Sequence, residues 1–493
     1  MAYIPLNIQP GVYRNGTEYQ SKGRWFDSNL VRWYEGTLRP VGGWRKRASG
    51  QLTGKCRGLL TWRTNANARW IALGTHSNLY VMNEVGTLTD ITPSGFTAGD
   101  ADALLNLGYG GGAYGLSTYG TARTDTGTVT PATTWTLDNW GEFLLACSNK
   151  DGKIYEWDLD TNNDGVALAN APINNKAVMV TAERFVFALG AGGNARRVAW
   201  SDQEDNTMWT AAITNQAGDI DLETSGSIVT GKRLRGVNLI FTDVDVHAAQ
   251  YQGPPYVYGF ERIATGCGVI SAQAVAAVES VAYWWSPGGF FMYDGFVRPL
   301  KCDVLDYVVS NLSQTQRSKV YAVANNQFGE IWWLYPSTDN TEIDSYVAYN
   351  YREGHWAIGS LSRTAGTDRG VFSYPIMVSS DGYVYEHEVG TSYEGNGSPY
   401  AETGPIELGS GDRILVAKQV IADEKLLGSV SLQFKTRFTP NDSTGTKSYT
   451  IDSNYTPVRF TGRQVAMRVT GANPATDWRV GVMRLDAVPG GER

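Results

Sequence analysis

The chain has 493 residues, of which 42% are hydrophobic and 18% charged, with a formal net charge of −7. That length calls for two or three cores, and the acidic balance excludes a protein that grips nucleic acid over most of its surface. The skew is toward 56 Gly, 27 Tyr and 16 Trp, the turn and packing residues of propellers, barrels and sandwiches.

The start, MAYIPLNIQPGVYRNG, has no charged head followed by an apolar run, so it does not read as a secretory signal. Residues 1–50 are dense in turns and aromatics, and predict an ordered segment packing on or closing a propeller. The short basic run Arg45–Lys46–Arg47 reads as a solvated charge cluster. No stretch approaches the ~20 uninterrupted apolar residues of a membrane-spanning helix.

From Cys56 onward, strand–turn–strand units follow one another. RWIALGTHSNLYVMN (69–83), EFLLACSNKDGKIYEWD (142–158) and PIMVSSDGYVYEHEVG (375–390) share one shape, and further units fall at 184–200, 237–260, 280–296 and 328–358. Asp151–Gly152 and Asp381–Gly382 sit between alternating apolar residues, a strong hairpin signal because Gly accepts the positive φ of a tight turn. Six or seven such units predict an all-β chain with a β-propeller over residues 51–401; two stacked sandwiches are the alternative. Residues 95–135, rich in Gly, Thr, Ala and Tyr, carry little apolar surface and predict an extended arm inserted in the propeller. Beyond Glu402, longer alternating strands (RILVAKQVIADEKLLGSVSLQFKTRF, VRFTGRQVAMRVTG, DWRVGVMRLDAV) predict a C-terminal antiparallel β-sandwich over 402–493.

Chemical motifs are weak. Gly226–Arg233 follows a phosphate-loop pattern, but Arg233 stands where the magnesium-binding Ser or Thr belongs and no helix follows. Gly110–Gly115 satisfies GxGxxG by virtue of glycine content alone. Asp160, Asn162 and Asp164, followed by Gly165, space their oxygens as a calcium loop does, but Ala171 occupies the position of the bidentate Glu, and a polar turn is the preferred reading. The four cysteines are widely spaced, as expected of small buried residues in a reducing compartment. The four histidines show no metal-ligand spacing, and no carboxylate pair is singled out for glycoside hydrolysis. No cofactor is called for, and the motifs predict a non-enzyme.

Three stretches resemble the tail nozzle (tail-hub, or packaged-DNA stabilisation) proteins of short-tailed bacteriophages: PGVYRNGTEY with GRWFDSNLVRWYEGTLRPVGGWRK, VAWSDQEDNTMWT with WWSPGGFFMYDG, and FTGRQVAMRVTG with DWRVGVMRLDAVPGGER. They contain the residues Trp25, Arg32, Trp44, Trp200, Asp202, Trp209 and Trp478, and the tract GYGGGAYGLSTYGTAR is similar to an insertion of that family. The resemblance implies a virion tail protein assembled in the host cytoplasm. It implies a ring, most often of six copies, docked below the portal adaptor, enclosing the channel for double-stranded DNA and carrying tail fibres or spikes nearby. An acidic bore suits that role, since basic residues would hold DNA by counterion release. Tyr109, Tyr114 and Tyr119 are then candidates for a gate in the bore. The alternative is a receptor- or glycan-binding propeller, and beyond it a glycan hydrolase.

Overall fold

The computed structural model describes residues 3–105, 129–407, 413–422, 430–451, 454–471 and 477–491. Seven four-stranded antiparallel sheets stand round a common axis. Their innermost strands are Cys56–Arg63, Trp135–Trp140, Ala177–Val180, Ile228–Leu234, Val275–Val278, Tyr321–Asn325 and Arg363–Thr367. Each packs against the next, and the seventh returns to the first. The chain is therefore a seven-bladed β-propeller. Every hairpin unit read from the sequence contains the middle pair of strands of one blade, and those at 237–260 and 328–358 run on into its outer strand. Asp151 and Asp381 show why these units resemble one another: each carboxylate accepts the backbone N–H two residues on, and Gly152 and Gly382 take φ of 63° and 86°.

Blades are wedge-shaped stacks, and here indoles fasten them. Trp135 of blade 2 donates its Nε1–H to Thr75 O of blade 1 at 2.6 Å, and Trp62 returns the favour to Glu142 O at 2.9 Å. Trp333 of blade 6 donates to Ala274 O at the foot of blade 5. A buried indole brings a large apolar area and keeps its one donor satisfied. Room for Trp135 comes from Gly74, where an added Cβ would lie 2.4 Å from the indole ring.

Blade 7 has only three strands of its own. Its fourth is Trp44–Lys46, from the start of the chain, paired with Val384–His387. Trp44 stacks on His387 at 5.1 Å, and Arg45 and Arg47 both bind Glu386. Just before this strand, the hairpin Val31–Tyr34 and Thr37–Pro40 carries Arg32, whose side chain is only 3% exposed. Its guanidinium binds Glu330 of blade 6 through two hydrogen bonds (2.9 and 3.0 Å) and Glu388 beyond blade 7 through two more (2.9 and 2.5 Å). It also covers the Phe328 ring at 3.8 Å. Gly42 N–H and Asn325 Nδ2 complete Glu388, and the Trp332 indole completes Glu330. Burial opposes ionisation of Glu388, but Arg32 holds its carboxyl below the usual range; burial dominates at Glu330 and raises it.

The second body is a sandwich of two sheets. One orders the strands Tyr3–Leu6, Met483–Pro489, Leu415–Ile421 and Thr456–Gly462. The other contains Gln9–Val12, Arg24–Asn29, Tyr400–Thr403, Gln464–Gly471, Val430–Arg437 and Gly445–Thr450, with Ile406–Glu407 also on Gln464–Gly471. Thr456–Gly462 alternates strictly between buried and exposed. This differs from a sandwich made of 402–493 alone: three strands come from the first 29 residues, and Gln9–Val12 pairs with Arg24–Asn29 in parallel. Those strands are too short for a periodicity that would name their partners. Arg24–Asn29 also touches the propeller, where Ser28 Oγ donates to Ile358 O at 2.7 Å and Asn29 Oδ1 accepts from Ser360 N at 2.8 Å. All four cysteines are buried and unpaired.

Two predictions follow from the closure. Arg32→Met leaves two carboxylates buried without their cation and should lower stability by about 3–5 kcal/mol; adding Glu330→Gln and Glu388→Gln should restore part of it, as measured by urea unfolding. His387 accepts a hydrogen bond from Arg363 Nε at 2.9 Å, and burial, then the Arg363 charge, hold its pKa well below the ordinary value. The unfolded chain therefore binds the proton more readily. This stability is complete above about pH 6.5 and is lost as the pH falls below it. His76, His247 and His355 shift the same way, each chiefly through burial. Melting temperature should drop through that window, and His387→Gln should flatten the drop.

Candidate functional site

The connections leading into the inner strands of blades 2 to 6 converge at one end of the axis. Thr133 and Thr134 precede Trp135, Lys176 precedes Ala177, Ser271 and Ala272 precede Val275, and Arg317 and Ser318 precede Tyr321. Together with Ile228 and Asp243 they enclose a cavity of about 930 Å³. Further along the axis a channel of about 350 Å³ runs between the inner strands, flanked by Asp138, Lys232, Arg233 and Asp368. Burial raises the carboxyl pKa of Asp138 and lowers the ammonium pKa of Lys232, which is accessible yet surrounded by protein; Asp138 partly offsets the latter. Both volumes match small-ligand sites, so no duplex threads the axis of a single propeller.

The mouth is built by the connection from blade 1 to blade 2. Gly99 N–H binds His76 O, and the Asp100 backbone donates to Thr133 Oγ1 and accepts from Thr133 N. Phe96 lies 5.2 Å from the Trp135 ring. The strands Leu104–Leu105 and Val129–Thr130 then pair at the rim. Across the mouth, Gln316 Oε1 accepts from Ala103 N at 2.8 Å and its Nε2 donates to Ala103 O at 3.0 Å. The buried Lys319 ammonium binds Asp102 and Thr341 O, both at 2.5 Å. Arg57, also buried, forms two hydrogen bonds to Glu342 and one to Ala101 O. Burial, reinforced by the nearby Arg57 charge, lowers the Lys319 pKa.

The residues singled out by sequence lie elsewhere. Trp25, Arg32 and Trp44 belong to the joint between closing hairpin, blades 6 and 7, and sandwich; Trp25 and Trp33 are 5.8 Å apart. Trp200, Asp202 and Trp209 hold one loop on blade 3: Trp200 donates to Gln216 O, Asp202 accepts from Gln203 N and Gln216 N, and Trp209 donates to Asn206 O. Trp478 is fully buried in the sandwich against Gly471. Tyr109, Tyr114 and Tyr119 lie outside the described residues. Asp160, Asn162 and Asp164 sit in a turn of blade 2. There Asp160 Oδ1 accepts from Asn162 N and Nδ2, and Trp157 donates to Asp160 O and Asn163 O, the geometry of a polar turn. The phosphate-loop pattern falls largely on the inner strand Ile228–Leu234 of blade 4. Lys176, Gln316 and Arg317 were missed. Their only signal is a position just ahead of an inner strand, visible once the blades are phased.

No protein-family model matches the chain, and no curated protein sequence does. Solved structures similar to it include virginiamycin B lyase from Staphylococcus aureus, at 8% identity over 68% of this chain and 94% of that one, with a TM-score of 0.41. A catalytically inactive form of that lyase with quinupristin gives 9% identity over 69% and 97%, TM-score 0.38. BamB from Moraxella catarrhalis gives 11% over 71% and 98%, TM-score 0.31. The strand order alone establishes the propeller. The expectation of a non-enzyme is corrected: with a lyase among these structures, the fold gives no ground for excluding catalysis. Among the described residues no helix is long and apolar enough to cross a membrane.

Gln316→Ala would leave the Ala103 N–H and C=O buried and unpaired, each costing about 1–3 kcal/mol. The expected outcome is hydrogen exchange at Ala103 at least about tenfold faster, with the blade cores unchanged.

Proposed function

We propose that the chain is a subunit of a short phage tail. In this reading several copies, most often six, form the nozzle ring below the portal adaptor. The ring encloses the DNA exit channel, retains the packaged genome and helps release it, with fibres or spikes attached nearby. The observation that carries it is the resemblance of three sequence stretches to that family. In its support, the first of those stretches joins propeller to sandwich and the third lies in the sandwich, a two-body subunit offering the two unlike faces that a head-to-tail ring requires. Because the propeller axis is of small-ligand size, DNA would pass between subunits. The test is the mass and class-averaged shape of the purified protein, alone and within virion tails. A ring with a central hole, or incorporation only in tails, is expected; a compact monomer absent from virions rejects the reading.

A second reading, a receptor- or glycan-binding propeller, has the axial cavity in its favour and stands closer to the geometry of the propeller itself. It predicts saccharide binding without any requirement for a ring.

A further inference from the structure

Charge within the mouth cavity is unevenly matched. Among the described residues, five ionisable side chains line it: Asp100, Lys150, Lys176, Asp243 and Arg317. Lys150 and Asp100 pair at 3.1 Å. Asp243 Oδ1 accepts the Ser227 N–H at 2.7 Å. Lys176 and Arg317 take part in none of the ion pairs among the described residues, and both are exposed to the cavity solvent. Three cations against two carboxylates make this a locally positive recess in a chain whose net charge is −7.

The remaining lining sorts into two kinds. Hydroxyls and amides come from Thr133, Thr315, Gln314 and Ser318, and the Ser318 Oγ is buried without a hydrogen-bond partner. Val129, Pro131, Ile270 and Pro287 supply an apolar wall. Among the described residues, no aromatic ring lines the cavity. Polyol hydrogen bonding, a modest apolar wall and two cations outside any ion pair, opposed only by the Asp243 carboxylate, suit a ligand that is at once hydroxylated and anionic.

We propose that this cavity binds an anionic saccharide, with Lys176 and Arg317 pairing its acidic groups and the Thr and Gln side chains its hydroxyls. The proposal rests on the second reading above and adds the substrate class; the ring-forming role is independent of it. Two chemistries supply such an anion, carboxylate and phosphate, and the experiment separates them.

The experiment is calorimetric titration of the full chain with trigalacturonate, with glucose 6-phosphate and with neutral maltotriose, at low and at physiological salt. Binding of one or both anionic probes is expected, weakening as salt rises, and which of them binds identifies the acidic group. Lys176→Gln and Arg317→Gln should each reduce that affinity about tenfold or more while leaving the melting temperature within a few degrees, both side chains being exposed. Binding of maltotriose as tight as that of the anions would overturn the proposal but keep a glycan-binding propeller. Absence of binding by all three probes overturns it, and a glycan array read alongside decides whether the broader reading falls too. Anion binding that both variants retain places the ligand elsewhere and also overturns it.

Discussion

Everything in this molecule depends on a ring that must close, and closure is concentrated on one buried arginine. Arg32 faces two carboxylates, one on blade 6 and one just past the last strand of blade 7, while lying almost out of reach of water. Desolvating three charges is costly, and the arrangement holds only because each oxygen and each guanidinium N–H that matters finds a partner. Such a site tolerates one geometry. It fixes the angle at which the closing strand meets Val384–His387 and, through Glu330, the seat of blade 6. A hydrophobic substitute would pack as well; it would not dictate which surfaces meet.

The sandwich extends the same logic. Its larger sheet takes a strand, Arg24–Asn29, that touches the outermost strand of blade 6 on its way to the hairpin. Arg24 reaches Asp303 at 3.0 Å and Arg14 covers Tyr307 at 3.9 Å. The first 46 residues are thus common property of both bodies, and the two are held as one solid unit without a linker between them. For a ring subunit, that stiffness would pass a push on one body directly to the other.

Much of the propeller was legible because each blade's middle hairpin carries its own turn chemistry. Asp–Gly pairs and alternating apolar residues announce themselves within ten residues, and the six or seven units expected from the sequence resolve to seven blades. Inner and outer strands were less visible: Ala177–Val180 is four buried apolar residues without alternation, and Val166–Ala167 is two exposed ones. Strand exchange was invisible. Tyr3–Leu6 and Met483–Pro489 pair through backbone groups, and nothing in YIPL selects a partner some 480 residues away. The cavity was hidden for a related reason. Its side chains come from connections into five different blades, so no single stretch contains them, whereas the tryptophans that drew attention pack blades, loops and the joint with the sandwich.

The shared N-terminal segment sets an order of events during synthesis. Tyr3–Leu6 and Trp44–Lys46 emerge hundreds of residues before their partners, Met483–Pro489 and Val384–His387. At about 5–20 residues per second, these strands wait on the order of a quarter of a minute to a minute and a half. Through that interval the early blades have no closed ring to belong to, and the apolar faces of Trp25, Trp33 and Trp44 have nothing to cover them. Contacts of such sequence separation are slow to form in any case. The nascent chain is therefore most exposed to mispairing, with itself or with a neighbouring copy on the same message, until Met483–Pro489 is free of the ribosome.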